Sequence, residues 1–149
     1  MATTYTVDAS VFLNAFNPYE TGHEESHRLL ARLQEQAAPI VVPTLLLPDV
    51  AAALSRGRQD DDLAREFATT LSHLPHLVLI SLDTTLARQA VDMAAQFHLR
   101  GSDAVYAAVA LRFGSTLITL DREQRERMAD LLSARYPAEA LAETEDAQQ

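Results

Sequence analysis

An α/β fold, three layers deep with a mostly parallel sheet between two layers of helices, is what this sequence predicts. Three observations carry that expectation. Short apolar runs of strand length recur along the 149-residue chain, amphipathic stretches of helical period separate them, and no internal repeat or interdomain linker interrupts the alternation. Strands covered on both faces by crossover helices read as continuous apolar runs, as IVV and TLITL do here. A chain of this length can bury a core without disulfides or structural metal, so one domain over residues 1–137 is expected, followed by an acidic, mobile tail over 138–149.

Residues 5–7 are β-prone and end on Asp8. Residues 11–16 then form a short helical turn closed by Asn17-Pro18, and Gly22 breaks the chain again. Over 23–36, Leu29, Leu30 and Leu33 recur at helical spacing among charges, and 40–42 supplies a second strand. Pro43 and Thr44 open a helix that runs to Arg56, because Leu46, Leu47, Val50, Ala53 and Leu54 keep the helical period and Gly57 follows as a stop. The acidic run 60–62 suits the positive end of a helix dipole and starts a helix ending near Ser72. Residues 77–82 read as a buried strand, and Asp83 begins a helix to about Phe97. Gly101 breaks the chain, Ser102 caps a helix to about Phe113, and residues 116–120 form a strand ending on Asp121. A last helix covers 123–132.

Composition removes several chemistries. Without cysteine there is no disulfide framework and no thiolate zinc site. The opening MATTYTVDAS lacks a basic flank, and no segment offers the roughly 18 apolar residues of a membrane helix, so a cytoplasmic protein with no membrane partner is expected. All 12 basic residues are arginine. The absence of lysine excludes Schiff-base chemistry, the Walker lysine of phosphate loops, and a phosphoaspartate site that relies on an ammonium. A net charge of -9 opposes broad electrostatic binding of nucleic acid, so any such substrate needs local compensation by divalent cations and placed arginines.

Two strands, TYTVD and TLITLD, end in aspartate, and ligands of open α/β sheets bind at the carboxyl ends of the strands. Asp8 and Asp121 are therefore expected at one crevice. Asp49 and Asp103 lie on helices that follow strands and so start at the same edge. Taken singly, each has a structural account as a turn cap, a helix-dipole partner or a solvated charge. Four carboxylates converging would repel one another strongly at neutral pH, which a hard divalent cation with oxygen ligands relieves. Arg100 and Arg122 flank Asp103 and Asp121, and an arginine fork pairs well with phosphate oxygens.

The segment from His23 to His27 matches the HExxH zinc-protease pattern, in which two histidines one helical turn apart bind zinc. No third ligand is evident, and solvated histidines at a helix start account for it as well. A phosphoaspartate enzyme also places an aspartate after the first strand, but the missing lysine and the lack of a second aspartate in DASV oppose it.

Four segments, VDASV, PTLLLPDVAAAL, GSDAVYAAVA and TLITLDRE, together resemble the PIN-domain family of nucleases, including VapC-type toxins, in order and spacing from Tyr5 to about Leu132. The resemblance implies hydrolysis of RNA phosphodiester bonds that depends on Mg²⁺ or Mn²⁺ and leaves a 5′-phosphate and a 3′-hydroxyl. It implies that Asp8, Asp103 and Asp121 hold the cation with Asp49 in support, and that Ser10 orients Asp8. In this chain Asp49 stands where the family usually has glutamate, one methylene longer. The resemblance also implies a cognate antitoxin and a homodimer as partners. A PIN-like binding module without catalysis is the alternative.

Overall fold

The computed structural model describes residues 3–146. Five strands form one parallel sheet in the order β3-β2-β1-β4-β5, where β1 is Tyr5–Val7, β2 Ile40–Pro43, β3 Leu77–Ile80, β4 Thr116–Ile118 and β5 Ala134–Arg135. Tyr5 pairs with Ile40 on one side and with Thr116 on the other, so β1 is central. From β1 the chain steps outward to β2 and β3, then crosses back to β4 on the opposite side of β1. That reversal lies between β1 and β4, and it opens a crevice beyond their carboxyl ends.

Right-handed crossovers decide which face each helix covers. Helices α1 (Ala9–Phe16), α2 (His23–Glu35), α3 (Leu46–Arg58) and α4 (Asp61–Ser72) lie in the outward connections and share a face. Helices α5 (Thr84–Phe97) and α6 (Gly101–Phe113) lie in the return connection and cover the other. Every residue of α6 from Ala104 to Ala110 is buried, and the helix packs on β1, β2 and β4. Its alanines explain this: short side chains let the helix axis lie close to the sheet, at little side-chain entropy cost.

The three-layer parallel architecture agrees with the sequence-based expectation, whereas several boundaries differ. Gly57 does not end its helix; α3 continues to Arg58, and Gln59 takes the left-handed closing position at φ 53°. Ser102 is not the cap of α6, since Arg100 occupies that position and Gly101 and Ser102 belong to the first turn. The expected buried strand 77–82 is shorter, and as an edge strand it leaves Val78 44% exposed. The helix expected over 123–132 is α7, Arg122–Met128, and it stops so that Ala134 and Arg135 can pair with Leu117 and Ile118.

The largest departure is at the carboxyl end. Instead of a mobile tail from 138, α8 spans Pro137–Asp146 and buries Ala140, Leu141 and Thr144 on one face. Glu139 reaches back to the Tyr136 N–H at 2.8 Å, half of a capping box, while the Arg125 guanidinium donates to both its oxygens at 2.9 Å. The fork from α7 holds the Glu139 carboxyl down at about 2. Arg28 of α2 ties the far end of α8 through Glu145 at 2.6 Å. Residues 147–149 of the expected tail lie outside the described residues.

Candidate active site at the carboxyl edge of the sheet

Asp8 follows β1 directly, and its backbone N–H donates to the Ile118 carbonyl across the β1/β4 crevice at 3.2 Å. Its side chain is 4% exposed and accepts from two hydroxyls, Ser10 on one oxygen at 2.5 Å and Thr119 on the other. Both hydroxyls are oriented by the backbone. The Leu120 N–H donates to Ser10 Oγ at 3.3 Å and the Asp121 N–H to Thr119 Oγ1 at 2.9 Å, which directs each hydroxyl proton toward Asp8. Burial nevertheless dominates: it raises the Asp8 carboxyl to about 6, against the two hydroxyl hydrogen bonds and together with the charge of Asp103.

Asp121 closes β4's connection into α7 and serves two ends at once. Its Oδ1 caps α7 by accepting the Gln124 N–H at 2.8 Å, and its Oδ2 faces Arg100 Nη2 at 3.4 Å. Asp103 sits in the first turn of α6, with Arg100 Nε at 4.0 Å. Burial and then the Asp121 charge push its carboxyl up, while Arg100 draws it down. Asp49, in the first turn of α3, is raised by burial and accepts from the Tyr106 hydroxyl at 2.9 Å. Gln124 joins α7 to α6 by donating its amide to the Asp103 carbonyl at 2.8 Å.

These groups line one cleft of about 220 Å³, formed by Asp8, Ala9, Ser10, Asp49, Ser102, Asp103, Tyr106 and Asp121. Size does not single it out: a cavity of about 460 Å³ lies at the opposite edge, beside Tyr5 and Thr116, where the lone acid Glu143 is paired with Arg135. Charge does. All four aspartates named from the sequence come together with Ser10. Arg100 stands at the rim between Asp103 and Asp121, whereas Arg122 turns to Glu126 at 3.0 Å and is 82% exposed.

Sequence reasoning passed over Tyr106 and Thr119. Both had a signal: Tyr106 is three residues after Asp103 on one helix face, and Thr119 is two before Asp121 on an extended segment. The histidines of the HExxH match have another use. His23 Nδ1 bonds the Asn14 carbonyl at 2.9 Å, and the His23 and His27 rings are 5.6 Å apart, with His27 exposed.

The donor set fits a hard divalent cation: it consists of carboxylate and hydroxyl oxygens, and burial raises three of its carboxyls, helped at Asp8 and Asp103 by neighbouring aspartates. As they lie, no three His, Cys, Asp or Glu side chains among the described residues are grouped to grip an ion. Ser10, Thr119, Tyr106 and Arg100 take up carboxylate oxygens instead.

The family profile of the PIN domain matches residues 5–129, a span that contains all four aspartates and both switch-point strands. The chain belongs to the PIN-domain family. No curated protein matches the chain. Among solved structures, this PIN domain is similar to a Pyrobaculum aerophilum protein at 21% identity and a TM-score of 0.70, covering 100% of this chain and 98% of that one. VapC20 of Mycobacterium tuberculosis, a sarcin-ricin-loop-cleaving toxin, is similar at 17% identity and a TM-score of 0.68, with coverage of 87% and 96%. VapBC2 of Rickettsia felis, bound to a fragment of promoter DNA, gives 13% identity and a TM-score of 0.67 over 90% and 98%. At such identities the likeness is one of fold, a parallel sheet flanked by helices. No helix among the described residues is long and apolar enough to cross a membrane.

Proposed function

We propose that this PIN domain is an endoribonuclease that hydrolyses RNA phosphodiester bonds with Mg²⁺ or Mn²⁺, and that it is the toxin of a toxin-antitoxin pair. One observation carries the reading: four carboxylates, just after β1, on α3, on α6 and at the cap of α7, line a single cleft. Asp8, Asp103 and Asp121 would hold the cation, with Asp49 beside them. A bound divalent cation lowers the pKa of water and offsets negative charge building on the phosphoryl oxygens. The chain's own groups supply the rest. Ser10 and Thr119 fix the Asp8 carboxylate from both sides, and Gln124 holds α7 against α6 so that Asp121 and Asp103 keep their spacing. Arg100, 75% exposed at the rim, is placed to meet a phosphate of the RNA strand.

The toxin assignment is supported by the toxin and VapBC structures that share the fold. An apolar groove of about 290 Å³, whose walls include Phe12, Leu30, Phe67 and Leu74, is a surface that an antitoxin partner would cover. A homodimer and a cytoplasmic location accompany the reading. The second reading, a PIN-like binding module without catalysis, is favoured by the absence of a ready ligand group among the described residues.

Cleavage of RNA by the parent protein, Asp8→Asn and Asp103→Asn, each with Mg²⁺ or Mn²⁺ and with chelator, separates the two. The nuclease reading expects cleavage by the parent only, abolished by chelator. Equal cleavage by all three proteins, or none by the parent with any ion, would sink it.

A further inference from the structure

We infer that Tyr106 is a positioning residue for Asp49, fixing one oxygen of that carboxylate so that the other is presented to the cleft. The inference rests on the reading of the cleft as a cation centre. Asp49 belongs to α3, whereas Asp8 directly follows β1, Asp103 belongs to α6 and Asp121 caps α7 just after β4, and these elements meet at the β1/β4 crevice. Asp49 is thus the carboxylate whose element is least constrained by that crevice. Tyr106 supplies the link. It stands three residues after Asp103 on α6, so the helix that delivers Asp103 also delivers the donor for Asp49.

The phenol is suited to the task. Tyr106 is 2% exposed and lies in the core with the alanines of α6, so its ring has one place to be. Its hydroxyl donates to Asp49 Oδ2 at 2.9 Å. A single rigid group therefore connects α6 and α3. Phenylalanine would fill nearly the same volume without a hydroxyl to desolvate. The hydroxyl is placed where it meets an acid that lines the cleft. With Oδ2 held, Asp49 has one remaining oxygen and one orientation, which spares a cation the cost of ordering it.

Mn²⁺ titration by calorimetry tests this on four proteins: the parent, Tyr106→Phe, Asp49→Asn and the double variant. Thermal unfolding without cation checks that each is folded. Positioning through Asp49 predicts that Tyr106→Phe weakens Mn²⁺ binding about tenfold in the parent. In the Asp49→Asn background the same change should alter affinity by no more than about twofold. A general loosening of the core would lower affinity equally in both backgrounds, and that result overturns the inference, as does an unchanged affinity in Tyr106→Phe. A parent that binds no Mn²⁺ is a different failure, since it removes the cation centre itself.

Discussion

Replacing Asp8 by asparagine is expected to make the cation-free protein more stable at alkaline pH and less stable at acid pH. Burial moves the Asp8 carboxyl from its ordinary 3.8 to about 6 in the folded chain. Between those values the unfolded chain has lost a proton that the folded chain keeps, so stability falls as pH rises through that window and the full cost is present above it. The displacement corresponds to about 3 kcal/mol at pH 8. Asparagine removes the charge but makes a poorer partner. Ser10 and Thr119 both donate toward Asp8, and an amide nitrogen facing one of them forfeits a hydrogen bond, costing about 1 to 2 kcal/mol. The net gain at pH 8 is then about 1 to 2 kcal/mol, or roughly 3 to 6 °C in Tm for a chain of this length. Near pH 4 the folded carboxyl is neutral and the unfolded one is only about half ionised, so roughly 0.5 kcal/mol of that cost is present, the lost bond outweighs it, and the variant should melt below the parent. Melting curves in chelator from pH 4 to pH 8 read this directly. A variant less stable than the parent by the same margin at every pH would refute the argument, because the ionised Asp8 would then be fully compensated by its donors.

Two further outcomes follow from the same geometry. Arg100→Gln should weaken RNA binding and reduce the salt dependence by about 0.7 in log-log slope, one phosphate contact, whereas Arg122→Gln should leave both unchanged because its guanidinium is turned to Glu126. Binding isotherms over a salt series distinguish them, and equal effects would return Arg122 to the rim. Leu141→Ala should cost about 2 to 4 kcal/mol by denaturant unfolding, since the side chain is 5% exposed in the core cluster. A cost below about 0.5 kcal/mol would mean that α8 is not docked.

Much of the site was legible because it depends on local order. A strand that ends on an acid places that acid at the carboxyl edge of a parallel sheet, and Asp8 and Asp121 follow β1 and β4 in this way. Helix-first-turn positions do the same for Asp49 and Asp103. Helix ends were less legible. Gly57 looked like a stop, yet Gln59 closes α3, because tertiary contact with α4 outweighs a local preference of about 1 kcal/mol.

By itself, the sequence determined the layer architecture, the polarity of the strands, and which acids stand at strand ends, since all of these follow from periodicity and chain direction. Tertiary structure alone decided the rest. Whether an acidic, alanine-rich end becomes α8 depends on Arg125 and Arg28 arriving from α7 and α2, and two short strand residues become β5 only because β4 offers an open edge. The proton balance of the cleft likewise arises from burial and from donors far away in sequence: Thr119 for Asp8, Tyr106 for Asp49. Such pairings cost loop-closure entropy and return energy only when the whole sheet is assembled, so no local stretch of residues announces them.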